Sequence, residues 1–158
     1  MKTLLICSTF ALLFFMFACS SSKTAADTIR EITHKVESKD FTVNVNSANP
    51  FRMKHVMLTS EYDLRIKNDS AFAFLPYYGV AYSAPYNSRE GGIKFAEPMT
   101  DYSMVPNKKS TGWDIRFKVK SKEYTYEIYM NLFNNGSAMF SVSSYQRDMI
   151  SFNGEVKR

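Results

Sequence analysis

From Asp40 to the C-terminus, apolar side chains recur at every second position, and that period decides what the chain can build. Phe41, Val43 and Val45 alternate with Thr42, Asn44 and Asn46. Tyr62, Leu64 and Ile66 alternate with Asp63, Arg65 and Lys67. Further rows are Trp113, Ile115, Phe117 and Val119; Tyr124, Tyr126, Ile128, Met130 and Leu132; Ala138, Phe140 and Val142; and Ile150, Phe152 and Val156. Successive side chains of a strand point to opposite faces. Each row therefore predicts a half-buried antiparallel strand with one face on a core and one in water. The row slips at Phe51, Met53, Val56 and Leu58, which predicts a bulge or bend near His55. Asn68-Asp69 and Asn134-Asn135-Gly136 read as hairpin turns, because these residues tolerate positive φ, and Ser121-Lys122-Glu123 can join another pair. The last four strands then form a meander. The predicted fold is mainly β, an antiparallel β-sandwich or partly open barrel with one N-terminal helix. Its predicted core holds Phe41, Val43, Leu64, Ile66, Trp113, Ile115, Phe117, Ile128, Leu132, Phe140 and Phe152.

The first residues follow a different rule. Met1-Lys2-Thr3 precedes an apolar run from Leu4 to Phe17, then Ala18 and Cys19. The run is about 15 residues, short of the roughly 20 that span a bilayer. A basic start, a short apolar run and a small residue before the cut mark a secretory signal peptide. Met16-Phe17-Ala18-Cys19 resembles a bacterial lipobox, which implies that Cys19 becomes the lipidated first residue. Ser20 is not the aspartate that favours inner-membrane retention in well-studied bacteria, so the expected location is the periplasmic face of the outer membrane. The expected organisation is a signal peptide at 1–18, a lipidated tether at 19–23, a helix at 24–38 and a single antiparallel β domain at 39–158. In that helix Thr24 can cap the first turn, with Asp27 near the positive end, and Ile29, Ile32 and Val36 fall at helical spacing.

Export excludes several functions. Lys2 leaves with the signal peptide, so the 20 cations become 19 against 15 anions, a net charge of +4. The charges form no basic block, and an exported protein does not meet the genome, so nucleic acid is not an expected partner. The two cysteines are Cys7, in the signal peptide, and Cys19, committed to lipid. The mature domain must be held by packing, without a disulfide.

The stretch from Leu75 to Ser110 reads as a long irregular connection. It contains Pro76, Pro85, Pro98 and Pro106 and the pair Gly91-Gly92, interrupted by a strand around Ile93 to Phe95. Such connections on a sheet scaffold often carry function. Tyr77, Tyr78, Tyr82 and Tyr86 crowd into it near Arg89. Tyrosine combines a flat apolar face with a polar tip, so these five residues are the candidate surface for a ligand or partner. The competing reading is that Leu75, Tyr77 and Tyr82 seal one end of the core, with Gly79 permitting a tight turn.

Leu75-Pro76-Tyr77-Tyr78-Gly79-Val80-Ala81-Tyr82-Ser83-Ala84-Pro85-Tyr86 and Gly91-Gly92-Ile93-Lys94-Phe95, with Ser60-Glu61-Tyr62-Asp63-Leu64 upstream and Ile150-Ser151-Phe152-Asn153-Gly154 downstream, resemble domain-of-unknown-function family 4251, a family of small exported Gram-negative proteins. The resemblance covers roughly Asp40 to the C-terminus. It implies a fold and an envelope location and carries no activity.

No catalytic residues are assigned. His34 and His55 lack the clustered ligands of a metal site, so no metal is expected and no cofactor is called for. Ser141, Ser143 and Ser144 read as solvent-facing sheet residues, without a base and an orienting group to activate them. Glu90, Glu97 and Asp101 read as solvated loop acids rather than a sugar-cleaving pair. Asp27-Thr28-Ile29 and Asp69-Ser70-Ala71 resemble the O-glycosylation pattern of some envelope proteins, which makes Thr28 and Ser70 candidate acceptors. The expected role is a non-catalytic envelope lipoprotein, held to the membrane through its lipid at Cys19, that binds a partner protein, glycan or small ligand. The alternatives are a hydrolase of envelope polymers and a structural or assembly accessory.

Overall fold

The structure, a computed structural model, describes residues 25–82, 91–109, 111–122 and 124–158. One helix, α1 (Ala25–Glu37), precedes eight strands: β1 (Asp40–Pro50), β2 (Val56–Lys67), β3 (Ser70–Leu75), β4 (Ile93–Pro106), β5 (Gly112–Lys120), β6 (Thr125–Phe133), β7 (Ser137–Ser144) and β8 (Arg147–Val156). Each strand pairs antiparallel with its sequence neighbours, and β8 returns to β1, so the sheet is a closed barrel. Of the two forms the alternation allowed, the barrel is taken, and it is closed rather than partly open. Closure leaves no edge strand to template association.

The alternating rows point inward. Phe41, Val43, Leu64, Ile66, Ile115, Phe117, Ile128, Leu132, Phe140 and Phe152 are all buried. Trp113 corrects the predicted core: it has the inward phase but lies one residue into β5, near the end of the barrel, and is half-buried. Phe140 and Phe152 are cross-strand partners with ring centroids 5.2 Å apart. The outward positions carry Arg65, Lys94, Arg116 and Glu127. This is the reverse of a membrane-spanning barrel, whose apolar band faces lipid.

The slip after Phe51 is the β1–β2 connection, and β2 begins at Val56 beyond His55. The bulge in this pair lies instead in β1, between Val45 and Ser47, and interrupts the register with both β2 and β8. The segment from Leu75 to Ser110 is not one irregular connection, because β4 lies within it. β4 runs for 14 residues and takes in Pro98 and Pro106. Pro98 pairs with Ser70 at the end of the β3 ladder, one residue before pairing with β5 begins at Met99, and Pro106 ends the strand. At those points a missing N–H costs little. Glu97 and Asp101 are therefore strand residues. Asp101, at φ 54°, sits in a β4 bulge and pairs with Lys118 at 3.0 Å.

Helix α1 closes one end of the barrel. Ile32 and Val36 are fully buried, and Ile32 packs beside Gly136 in the β6–β7 turn. Lys35 donates to Glu31 at 2.9 Å and to the Lys157 carbonyl at 2.8 Å, tying the helix to the end of β8. Lys39, in the left-handed region at φ 51°, ends the helix and turns the chain into β1.

Candidate functional site

Among the described residues, the end of the barrel away from α1 carries the β1–β2 connection at 51–55, residues 76–82 after β3, the β5–β6 connection and the β7–β8 turn. Pro76 cannot extend the ladder, so the chain leaves β3 and crosses the barrel mouth. It rejoins the sheet through an antiparallel bridge between Ala81 and Arg147. The Tyr82 amide donates to the Gln146 carbonyl at 2.8 Å, and the Asp148 amide donates to the Val80 carbonyl at 3.0 Å.

Asp148 holds this crossing in place. Its nearly buried carboxylate accepts from the Tyr82 hydroxyl and from the Val80 amide at 3.3 Å, and pairs with Arg52 Nε at 3.1 Å. Arg52 also donates to the Tyr82 hydroxyl at 3.2 Å. The Tyr77 hydroxyl reaches the carbonyls of Val80 at 3.0 Å and Asp148 at 3.1 Å. Gly79 is needed for space: a Cβ there would lie 2.7 Å from the Tyr77 hydroxyl. Arg147, at the start of β8, donates to the Gly92 carbonyl at 3.2 Å and the Tyr124 hydroxyl at 3.0 Å. Its guanidinium lies 4.1 Å from the Tyr124 ring centroid and 5.0 Å from that of Tyr77.

The electrostatics suit a clamp. The hydrogen bond from Tyr82 holds the Asp148 carboxyl below its ordinary value, helped by the Val80 amide and Arg52 and opposed by desolvation. Burial, and then the Asp148 charge, push the Tyr77 hydroxyl up. The hydrogen bond to Tyr82, and then the Asp148 charge, raise Arg52. At neutral pH the carboxylate is ionised and fully engaged, and the tyrosine is neutral.

This assigns a sign to the pH response. A carboxyl depressed in the folded state stabilises above its ordinary value of 3.8 and loses that contribution as pH falls through the folded value. Hydrogen-exchange protection of the Tyr82 and Asp148 amides, corrected for intrinsic rates, should fall below about pH 4. Asp148→Asn should lack that protection already at neutral pH and show no further acid step. An acid step of unchanged size in the variant would assign the titration to another group.

The structure brings Tyr77 and Tyr82 together around Asp148. Tyr78 is half-buried against the core, and Tyr86 and Arg89 lie outside the described residues, as does Cys19. Thr28 is half-buried in the first turn of α1, and Ser70 is half-buried at the start of β3. Ser143 donates weakly to the Glu127 carbonyl at 3.4 Å on the outer wall, whereas the Ser144 hydroxyl is buried, contrary to its solvent-facing reading. Among the described residues no three His, Cys, Asp or Glu side chains form a group that could hold a metal ion. A shallow groove of about 530 Å³ on the outer wall is lined by Asp101, Arg116, Lys118, Glu127 and Tyr129, where Lys118 pairs with Asp101 and Glu127 and the Arg116 guanidinium lies over the Tyr129 ring. Arg52, Tyr124, Arg147 and Asp148 were missed by the sequence reading. One signal was available: Asp148 has the inward parity of Ile150 and Phe152, where a charge demands a partner.

Around the clamp is an exposed apolar rim. Phe51 is 68% exposed, Tyr82 61% and Tyr145 92%, and Met53, Met57 and Val80 are also exposed. Arg52, Lys54 and His55 lie among them on the β1–β2 connection.

The family described as Domain of unknown function (DUF4251) matches residues 23–156. The match takes in α1, upstream of the Asp40 limit of the sequence resemblance. The barrel is similar to the crystal structure of a DUF4251 family protein from Bacteroides eggerthii, with a TM-score of 0.63 and 13% identity over 84% of this chain and 91% of that one. No curated protein matches the chain. The chain belongs to the DUF4251 family.

Proposed function

We propose that this DUF4251 member is a non-catalytic cell-envelope lipoprotein that is anchored through Cys19 to the periplasmic face of the outer membrane and grips a partner protein with the apolar rim. The observation that carries this reading is the position of the rim. Phe51, Tyr82 and Tyr145 lie at the barrel end opposite α1, and α1 is the element that follows the tether. An anchor ahead of α1 leaves the rim as the end free to meet a partner. A patch of large apolar side chains interleaved with cations is typical of a contact surface, where a few rigid aromatic residues dominate binding. The hydrolase alternative needs a carboxyl able to exchange protons near neutral pH. Asp148 is held ionised by three donors, which favours binding over catalysis.

Capture of partners from native membranes tests the rim. Replacing Phe51 and Tyr145 together with Ser should reduce capture by tenfold or more and leave the melting temperature nearly unchanged, since both side chains already stand in water. Capture equal to wild type would remove the rim from the binding surface. The anchor is tested separately. Cys19→Ala should abolish fatty-acid labelling and release the domain from membranes, because two or three acyl chains hold a protein firmly and none does not. Unchanged labelling would place the lipid elsewhere.

A further inference from the structure

We propose that Arg147 and Ser144 form a binding site for a single carboxylate at the mouth of the barrel, independent of the apolar rim. Arg147 is only 8% exposed, yet among the described residues its guanidinium bonds to a carbonyl and a hydroxyl and to no carboxylate. Asp148, its chain neighbour, is already engaged by Tyr82, Val80 and Arg52. Arg147 Nε and the Ser144 hydroxyl are both buried, and among the described residues neither has a hydrogen-bond partner. They are also register partners across the β7–β8 turn, at a bulge in that pairing. Two orphaned donors on facing residues are rare, because buried polar groups are almost always paired. A buried cation without a counter-charge is costlier still.

One group resolves all three deficits. A carboxylate oxygen accepts from Nε–H and from the serine hydroxyl, and its charge neutralises the guanidinium. Arginine matches carboxylate geometry well. The charge count selects the class: among the described residues no carboxylate pairs with this cation, so a monoanion such as a carboxylate fits better than a phosphate dianion. Tyr77 and Tyr124 pack against the guanidinium, their ring centroids 5.0 and 4.1 Å from its carbon, while Nε is left without a partner among the described residues.

Acetate, titrated into the mature chain at constant ionic strength, is the first probe. The Nε–H resonance of Arg147 should shift saturably and the melting temperature should rise. In Ser144→Ala the apparent affinity should fall about tenfold, and in Arg147→Lys the thermal gain should vanish. N-acetylglycylglycine, probed alongside, identifies the source: tighter binding than acetate supports a peptide C-terminus, and equal binding supports a small free acid. No saturable shift with either probe overturns the site, leaving water as the partner of the two orphans. Phosphate or chloride shifting the resonance as strongly as acetate overturns the carboxylate assignment. If Arg147→Lys does not fold, the wild-type resonance and Ser144→Ala still decide the matter.

Discussion

Phe117→Ala should lower the unfolding free energy by about 3–5 kcal/mol, the range for deleting a buried phenylalanine. Phe117 is 2% exposed, faces its register partner Ile128 on β6 and stacks near Tyr102 with centroids 6.4 Å apart. Neighbours tied into two ladders each cannot collapse into the vacated space, so the cavity term adds to the lost transfer energy. The loss would be a large share of a typical domain's stability. Urea unfolding followed by tryptophan fluorescence measures it, with Trp113 on the same strand as reporter. Phe133→Ala, on an outward-facing and partly exposed ring, should change stability by no more than about 0.5 kcal/mol. Similar losses in the two variants would contradict the inward phase of β5.

Gly154→Ala should cost about 3 kcal/mol or more, at the upper end of overpacking or beyond it. Gly154 lies in the seam that closes the barrel, opposite Val45 of β1 and Ala138 of β7. A Cβ there would stand 2.2 Å from the Asn44 carbonyl oxygen and 3.0 Å from the Asn44 carbonyl carbon. Backbone cannot rotate away as a side-chain tip can, so the methyl group must push β1 off β8. The loss should be local as well as global: the Lys157 amide, which donates to the Thr42 carbonyl at 2.7 Å, should lose exchange protection first. Gly91→Ala, with open space around it, is the control and should be close to neutral. A Gly154→Ala protein with wild-type stability and a protected Lys157 amide would mean that β1 and β8 are not so closely apposed.

The sequence by itself determined the strands and their faces. Alternation at Phe41, Val43 and Val45, or at Ile115, Phe117 and Val119, is a local property, and it states which side of each ribbon must leave water. The turns were equally local. Asn68, at φ 54°, and Gly136, at φ 94°, occupy the left-handed conformations that their chemistry tolerates. The proline-rich stretch misled because prolines normally break strands, and only the ladder shows that Pro98 and Pro106 occupy its ends.

The tertiary structure alone decided closure and the clamp. Alternation names a face but no neighbour, so rows facing one core suit two packed sheets as well as a barrel. That choice rests on β1 meeting β8 across the length of the chain, and on a bulge at Val45–Ser47 and a bare Gly154 that let their backbones approach. The clamp has the same origin. Arg52, Tyr82 and Asp148 lie far apart in sequence, and no local pattern pairs them with one another. They meet because closing the barrel brings its turns to a common mouth, where a charge carried inward by β8 must find partners from other turns.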